Sequence, residues 1–207
     1  MAQYKSLSQA LSDIENATTL NLKLKKKEIP EDLFKLTNLN TLYISGDSIT
    51  FIPEGIVKLK RLRTLYINST ELNEVCSVIF KLPELETLNL NKCNIRNFNL
   101  EIPITTKLKT LMLVGNQLRL LPNNLEHLDS IKVLYLSDNN FETFPVELLY
   151  FTNIKEIYLS KNKLVDLPLD KIKNCSSLSL LSLDGNLFSN DTKEIIQNEL
   201  GYWFGEI

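Results

Sequence analysis

Histidine occurs once in this 207-residue chain, at His127, and cysteine three times, at Cys76, Cys93 and Cys175. With no second histidine and no CxxC spacing, no zinc ligand set exists and no metal is expected. An odd number of cysteines leaves at least one thiol without a partner in the chain, so a reducing, cytoplasmic setting is expected. Six glycines and seven prolines are too few for a collagen-like or linker-rich chain. No run of eighteen apolar residues exists, so no membrane span is expected. Residues 1–12 lack the apolar core of a signal peptide; a leader removed upstream would point to secretion instead. GxGxxG, Walker A and nucleophile-elbow sequences are also missing, so neither a cofactor nor a catalytic residue is expected. A pI of 5.6 lacks the basic excess of a nucleic-acid binder.

The rest of the composition is that of a folded protein, 43% hydrophobic and 23% charged, with a net charge of −2. At this length one domain with a sizeable core is expected. Its organisation is a repeat. Leu39, Leu62, Leu85, Leu108, Ile131 and Ile154 stand 23 residues apart, and Leu178 follows after 24. Each opens the pattern LxxLxLxxNxLxxLP. One copy reads Leu108, Leu111, Leu113, Asn116, Leu118, Leu121, Pro122; the next reads Ile131, Leu134, Leu136, Asn139, Phe141, Phe144, Pro145. A degenerate first copy runs through Ala17, Leu20, Leu22, Ile29 and Pro30. A truncated last copy holds Leu178, Leu181, Leu183, Asn186 and Phe188, making eight copies. The LxL pair alternates inward and outward, so each copy contributes one short strand. Strands repeated in this way stack into a parallel ladder with a spacing of about 4.8 Å. No copy can bury its apolar face alone.

These residues resemble the leucine-rich repeat family, in the 23-residue class of intracellular eukaryotic and small stand-alone bacterial proteins. The 20-residue repeats of secreted bacterial ubiquitin-ligase effectors do not fit. The resemblance covers residues 17 to 188 and implies an α/β solenoid, a right-handed superhelix with a parallel β-ladder on its concave face. It also implies a role for asparagine at position nine, whose amide bonds backbone groups of adjacent turns. Asn116, Asn139, Asn162 and Asn186 match. Asp47, Thr70 and Cys93 replace it in earlier copies, and Lys25 in the first, so a looser ladder is expected in the N-terminal half.

Helical caps are expected at both ends of one structural domain, with residues 1–16 and 189–207 flanking eight repeats over 17–188. Leu7, Ala10, Leu11 and Ile14 follow the spacing of an amphipathic helix, and Ser6 with Gln9 forms a capping-box pair. Asp191 with Glu194 resembles a second box, Gly201 a helix stop, and Tyr202, Trp203 and Phe204 a cover for the last repeat. Two caps imply a complete domain.

The outward strand residues carry what functional information remains. Position five reads Asn21, Tyr43, Tyr66, Asn89, Met112, Tyr135, Tyr158, Ser182, a tyrosine stripe with Met112 in its middle. Seven tyrosines spread over 207 residues would place well under one there by chance. Tyrosine is enriched at binding hot spots; it also suits exposed strands, where neighbouring rings cover each other. Position three is a row of threonines, Thr19, Thr41, Thr64, Thr87 and Thr110, which suits strands. Position two holds Arg63, Lys109, Lys132 and Lys155, interrupted by Glu86. This basic row either meets an acidic partner or is ordinary surface charge. The strip is roughly 35 Å long by strand spacing, enough for a standard interface.

The expected function is therefore a non-enzymatic protein-protein interaction module, with a partner protein on the concave face. Tyr43, Tyr66, Asn89, Met112, Tyr135 and Tyr158 are the expected contacts, with Arg63, Lys109, Lys132 and Lys155 beside them. The partner's identity is unknown from sequence. A monomer is expected, with a dimer through the concave face as an alternative. A secreted or surface-exposed adhesin or host-directed effector would use the same face. An enzyme would need a catalytic cluster that the sequence does not show; His127 reads as an exposed polar residue, and the cysteines as structural. The sequons at Asn16, Asn68, Asn174 and Asn190 are read as chance, and Lys25–Lys27 as a solvated loop. Composition rich in Lys, Asn and Ile suggests a bacterial source.

Overall fold

Each LxL tripeptide forms a strand whose two apolar residues face the interior. The structure is a computed structural model and describes residues 2–96, 106–122 and 125–202. Its strands are β1 (Ala2–Tyr4), β2 (Ala17–Lys23), β3 (Thr41–Ser45), β4 (Thr64–Asn68), β5 (Thr87–Asn89), β6 (Thr110–Met112), β7 (Val133–Tyr135), β8 (Glu156–Tyr158) and β9 (Leu180–Ser182). They make one parallel sheet in sequence order. The chain returns to the next strand through short 3-10 turns such as Glu31–Lys35, Glu54–Lys58, Ser77–Lys81 and Val146–Tyr150. Pro30, Pro53 and Pro145 open three of these with φ of −62°, −65° and −71°, the angle their ring enforces. Cys76 fills the same place in a fourth at φ −80°.

The core lies between the sheet and the returning turns. Leu42, Leu65, Leu88, Leu111, Leu134 and Ile157, at position four, are at most 2% exposed. Burial of one such side chain stabilises the fold by about 1.5–3 kcal/mol.

Two kinds of turn leave the sheet, and they divide the molecule. Strands β3 and β4 run for five residues, and the pairing continues through Lys23, Ser45 and Asn68. Alternation then carries position eight inward as well. At Gly46 no side chain fits: a Cβ there would lie 2.6 Å from the Leu24 carbonyl oxygen. Ser69 is fully buried and donates from Oγ to the Ile49 carbonyl at 2.8 Å. Strands β5 to β9 stop after three residues. There position eight turns left-handed, at Lys92, Gly115, Asp138, Lys161 and Gly185, with φ between 56° and 71°. That rotation swings position nine inward instead. Asn116 Nδ2 donates to the Leu90 and Leu113 carbonyls, both at 2.9 Å, while its Oδ1 accepts from the Cys93 and Ile95 amides. Asn139, Asn162 and Asn186 repeat the motif one copy further on each time. Cys93 donates its thiol to the Ile67 carbonyl at 3.2 Å, the position-six acceptor that the asparagines use.

This corrects two expectations. Lys25, Asp47 and Thr70 do not stand in for asparagine; all three are exposed, and the inward place has moved to position eight. The N-terminal ladder is not looser, because its strands are longer and pair at more positions. The left-handed φ at Lys92, Asp138 and Lys161 costs about 1 kcal/mol each, which the buried amide bonds offset.

At the ends, the Ser6 cap and the Gly201 stop stand where the sequence reading put them, and other features differ. Residues 1–16 hold β1, paired in parallel with β2, ahead of a five-residue helix α1 (Leu7–Leu11). Ser6 caps α1, accepting from the Gln9 amide. A second short helix, α2 (Leu169–Lys173), precedes β9. Helix α3 (Asn190–Leu200) is capped by Ser189, which accepts from the Thr192 amide at 3.0 Å, and Asp191 sits in its first turn rather than at the cap. Gly201 ends α3 with φ 64°. Tyr202 Oη accepts from the Leu183 amide at 2.8 Å. Inside the array the equivalent amides of Leu90, Leu113, Leu136 and Leu159 donate to the position-five carbonyl of the next strand, at 2.8–2.9 Å. A phenol oxygen thus replaces a backbone carbonyl. Trp203 and Phe204 lie outside the described residues.

Two stability outcomes follow from this packing. Leu111→Asp places an unpaired charge between adjacent repeats, and loss of the cooperative thermal transition is expected. Retention of wild-type melting would contradict the register. Ser69→Ala strands the Ile49 carbonyl and is expected to cost about 1–3 kcal/mol, whereas Thr70→Ala stays within about 0.5 kcal/mol. Denaturant midpoints compare the two; equal losses would return the polar place to position nine.

Candidate functional site

The register puts every position-five residue in one row on the sheet's outward face. Asn21, Tyr43, Tyr66, Asn89, Met112, Tyr135, Tyr158 and Ser182 pair strand by strand from β2 to β9. Alongside run Thr19, Thr41, Thr64, Thr87, Thr110, Val133, Glu156 and Leu180. The expected contact residues are therefore brought together on one surface.

The row is not a continuous tyrosine stripe. Tyr43 and Tyr66 stack with ring centroids 4.7 Å apart and planes 19° apart. Tyr135 and Tyr158 stack at 4.5 Å and 10°. Between the pairs, Asn89 Nδ2 donates to Met112 Sδ at 3.3 Å, and Asn89 Oδ1 accepts from the Asn91 amide. Stacking covers one face of each ring, and all four tyrosines are half-buried. Among the described residues the most exposed large apolar side chains lie elsewhere: Leu120 is 72% exposed, Leu187 61% and Val165 56%.

The basic row is partly neutralised. Lys109 Nζ lies 2.8 Å from Glu86 Oε2, and the neighbouring pair Lys107–Glu84 closes to 2.6 Å. The hydrogen bond from Lys109, with the charges of Lys109, Arg63 and Lys107, holds the Glu86 carboxyl below its usual range. Lys132 and Lys155 make no ion pair among the described residues. On the same face, Tyr158 Oη donates to Glu156 Oε2 at 2.8 Å. That hydrogen bond, then desolvation, then the Glu156 charge push the Tyr158 hydroxyl up to about 12.

The Glu86–Lys109 pair was legible as opposite charges 23 residues apart at one repeat position. The split of the tyrosine row was legible too, in Asn89 and Met112 between the two pairs. The Tyr158–Glu156 bond had no signal beyond i, i+2 placement on one strand face. Cys93 is fully buried and burial pushes its thiol up to about 11, which suits an inert structural role. Cys76, Cys93 and Cys175 are all free thiols. The His127 side chain lies outside the described residues. Among the described residues no group of His, Cys, Asp and Glu side chains could hold a metal ion, and no helix is long and apolar enough to cross a membrane.

The repeat spacing, the single parallel ladder and the buried asparagines define the architecture, and the Leucine Rich Repeat family model matches residues 130–151. The fold is a leucine-rich-repeat solenoid. Among solved structures, an internalin (inlF) from Listeria monocytogenes matches with a TM-score of 0.58 at 19% identity, covering 87% of this chain. The match spans 52% of that internalin, about half its length. A leucine-rich-repeat protein from Leptospira interrogans matches at 22% identity over 95% of this chain and 74% of that one, with a TM-score of 0.36. No curated protein matches the chain in sequence. Repeats of this kind typically build protein-interaction surfaces, which supports a protein-interaction module.

The Tyr158 contact has a spectroscopic consequence. Glu156→Gln removes the charge that favours the protonated phenol, so Tyr158 should titrate about one to two pH units lower. Ultraviolet titration of tyrosinate resolves this, with Tyr158→Phe assigning the transition. An unchanged curve would show that the hydrogen bond does not govern the hydroxyl.

Proposed function

We propose that this solenoid is a non-enzymatic recognition module that docks a partner protein on the outward, concave face of its sheet. Tyr43, Tyr66, Asn89, Met112, Tyr135 and Tyr158 are the contacts, and Arg63, Lys109, Lys132 and Lys155 flank them. One observation carries the reading: four half-exposed tyrosines stand in a single register row on a rigid ladder. Tyrosine buries area at little entropic cost and keeps a polar tip, the profile of a binding hot spot. The ladder holds these rings in place before any partner arrives, which lowers the ordering cost of association. In this reading residues 1–16 and 189–207 are end segments flanking the repeats of 17–188. The protein works as a monomer in the cytoplasm, where Cys76, Cys93 and Cys175 remain reduced.

Affinity capture tests the reading, with wild type set against a Tyr66→Ser/Tyr135→Ser variant. A partner held by wild type and lost by the variant, at unchanged melting temperature, is the expected result. Equal capture by both would move docking off this face. Capture only from extracellular or surface fractions would favour the adhesin or effector reading. Light scattering that showed a dimer dissolved by the variant would assign the face to self-association.

A further inference from the structure

We infer that the occupant of this face is an extended acidic peptide segment. It crosses the strands with two apolar side chains six residues apart and sets its carboxylates against Lys132 and Lys155. This rests on the reading of the sheet face as a docking surface.

The spacing comes from the interruption of the tyrosine row. One stacked pair lies on β3 and β4, the other on β7 and β8. Their centres are four strand spacings apart, roughly 19 Å. Between them Asn89 is committed at both ends of its amide, to Met112 and to the Asn91 backbone. The middle of the row therefore offers little to a ligand, and contact concentrates at two points. An extended chain rises roughly 3.3 Å per residue, so about six residues span the gap. Six is even, which places both anchors on the same side of the peptide.

The charge comes from what the face does not neutralise. The whole chain carries −2, yet rows two and three hold the cations Arg63, Lys109, Lys132 and Lys155 against the anions Glu86 and Glu156. Lys109 engages Glu86, and the Tyr158 hydroxyl engages Glu156. Lys132 and Lys155 remain, directly ahead of the adjacent strands β7 and β8, with the Lys155 amide bonded to the Lys132 carbonyl at 2.8 Å. Like charges side by side on paired strands repel each other, and an incoming carboxylate relieves that repulsion. Each lysine precedes its tyrosine by three residues, roughly 10 Å along the strand, a distance its flexible stem bridges.

Single-stranded nucleic acid would also use tyrosines and lysines. Here the Asn89–Met112 contact separates two isolated ring pairs, so successive bases find no continuous aromatic platform along the row. A peptide anchored at two separate points fits that interruption better.

Fluorescence anisotropy with synthetic probes tests the inference. The probes are Glu-rich fluorescein-labelled peptides with two leucines six or three residues apart, a Lys-for-Glu version of the first, and an oligothymidylate of equal charge. The six-spaced acidic peptide should bind at least about tenfold tighter than the others, and its affinity should fall with salt. Lys132→Glu/Lys155→Glu should weaken it about tenfold and flatten the salt dependence. Tyr43→Ser/Tyr66→Ser and Tyr135→Ser/Tyr158→Ser should each weaken it as well. Indifference to spacing, equal binding of the oligothymidylate, or no peptide binding at about millimolar concentration would overturn the inference. The natural partner separates this failure from that of the underlying reading. A partner lost with Tyr66→Ser/Tyr135→Ser but kept by Lys132→Glu/Lys155→Glu leaves the docking face standing and removes the acidic occupant. A partner kept by both variants removes both.

Discussion

Everything in this molecule depends on apolar residues that a single repeat cannot hide. The inward residues of one strand are covered only by those of the strands before and after it, so burial requires stacking. Stacking in turn requires that every copy return to the same register. The 23-residue period achieves this, and the one copy of 24 residues still aligns Leu181 with Ile157. Once the register is set, the outward rows are set as well. A residue's place on the outward face is thus a by-product of core burial, and the face is as rigid as the core beneath it.

The polar groups within that core follow a second constraint. A parallel ladder that turns away from the sheet leaves carbonyls and amides needing partners, and each turn must supply them. The chain does so in two ways. Longer strands carry a small residue inward at position eight, as at Gly46 and Ser69. Shorter strands use a left-handed residue to carry asparagine inward at position nine. The change falls between Ser69 and Cys93, and Cys93 itself serves as a neutral donor at the junction.

Much of this was legible in the sequence. Leucine spacing yields the repeat strands, their order and the register of the outward rows across all eight copies, because alternation with a period of two allows no other arrangement once LxL faces the core. The two turn classes were less legible. Lys92, Asp138 and Lys161 adopt positive φ without being glycine, and only Gly115 and Gly185 advertise the position. β1 was missed because three residues, Ala2 to Tyr4, carry no alternation long enough to read. On the candidate face, membership of each row was predictable, and so were the Glu86–Lys109 pairing and the split of the tyrosines. The Tyr158–Glu156 contact was not, because it depends on side-chain rotamers that no periodicity encodes.

The closure of β9 by Tyr202 bears on how such an array is lengthened or shortened. Inside the sheet, a position-six amide is satisfied by a whole neighbouring strand; at β9 one phenol oxygen on the segment after α3 does the same work for Leu183. The terminating group is therefore portable. Attached behind another short-strand copy, the same helix and tyrosine would meet an amide in the same ladder position. Array length becomes a matter of where that helix is joined, and copies can be gained or lost in evolution without rewriting the strand that comes last.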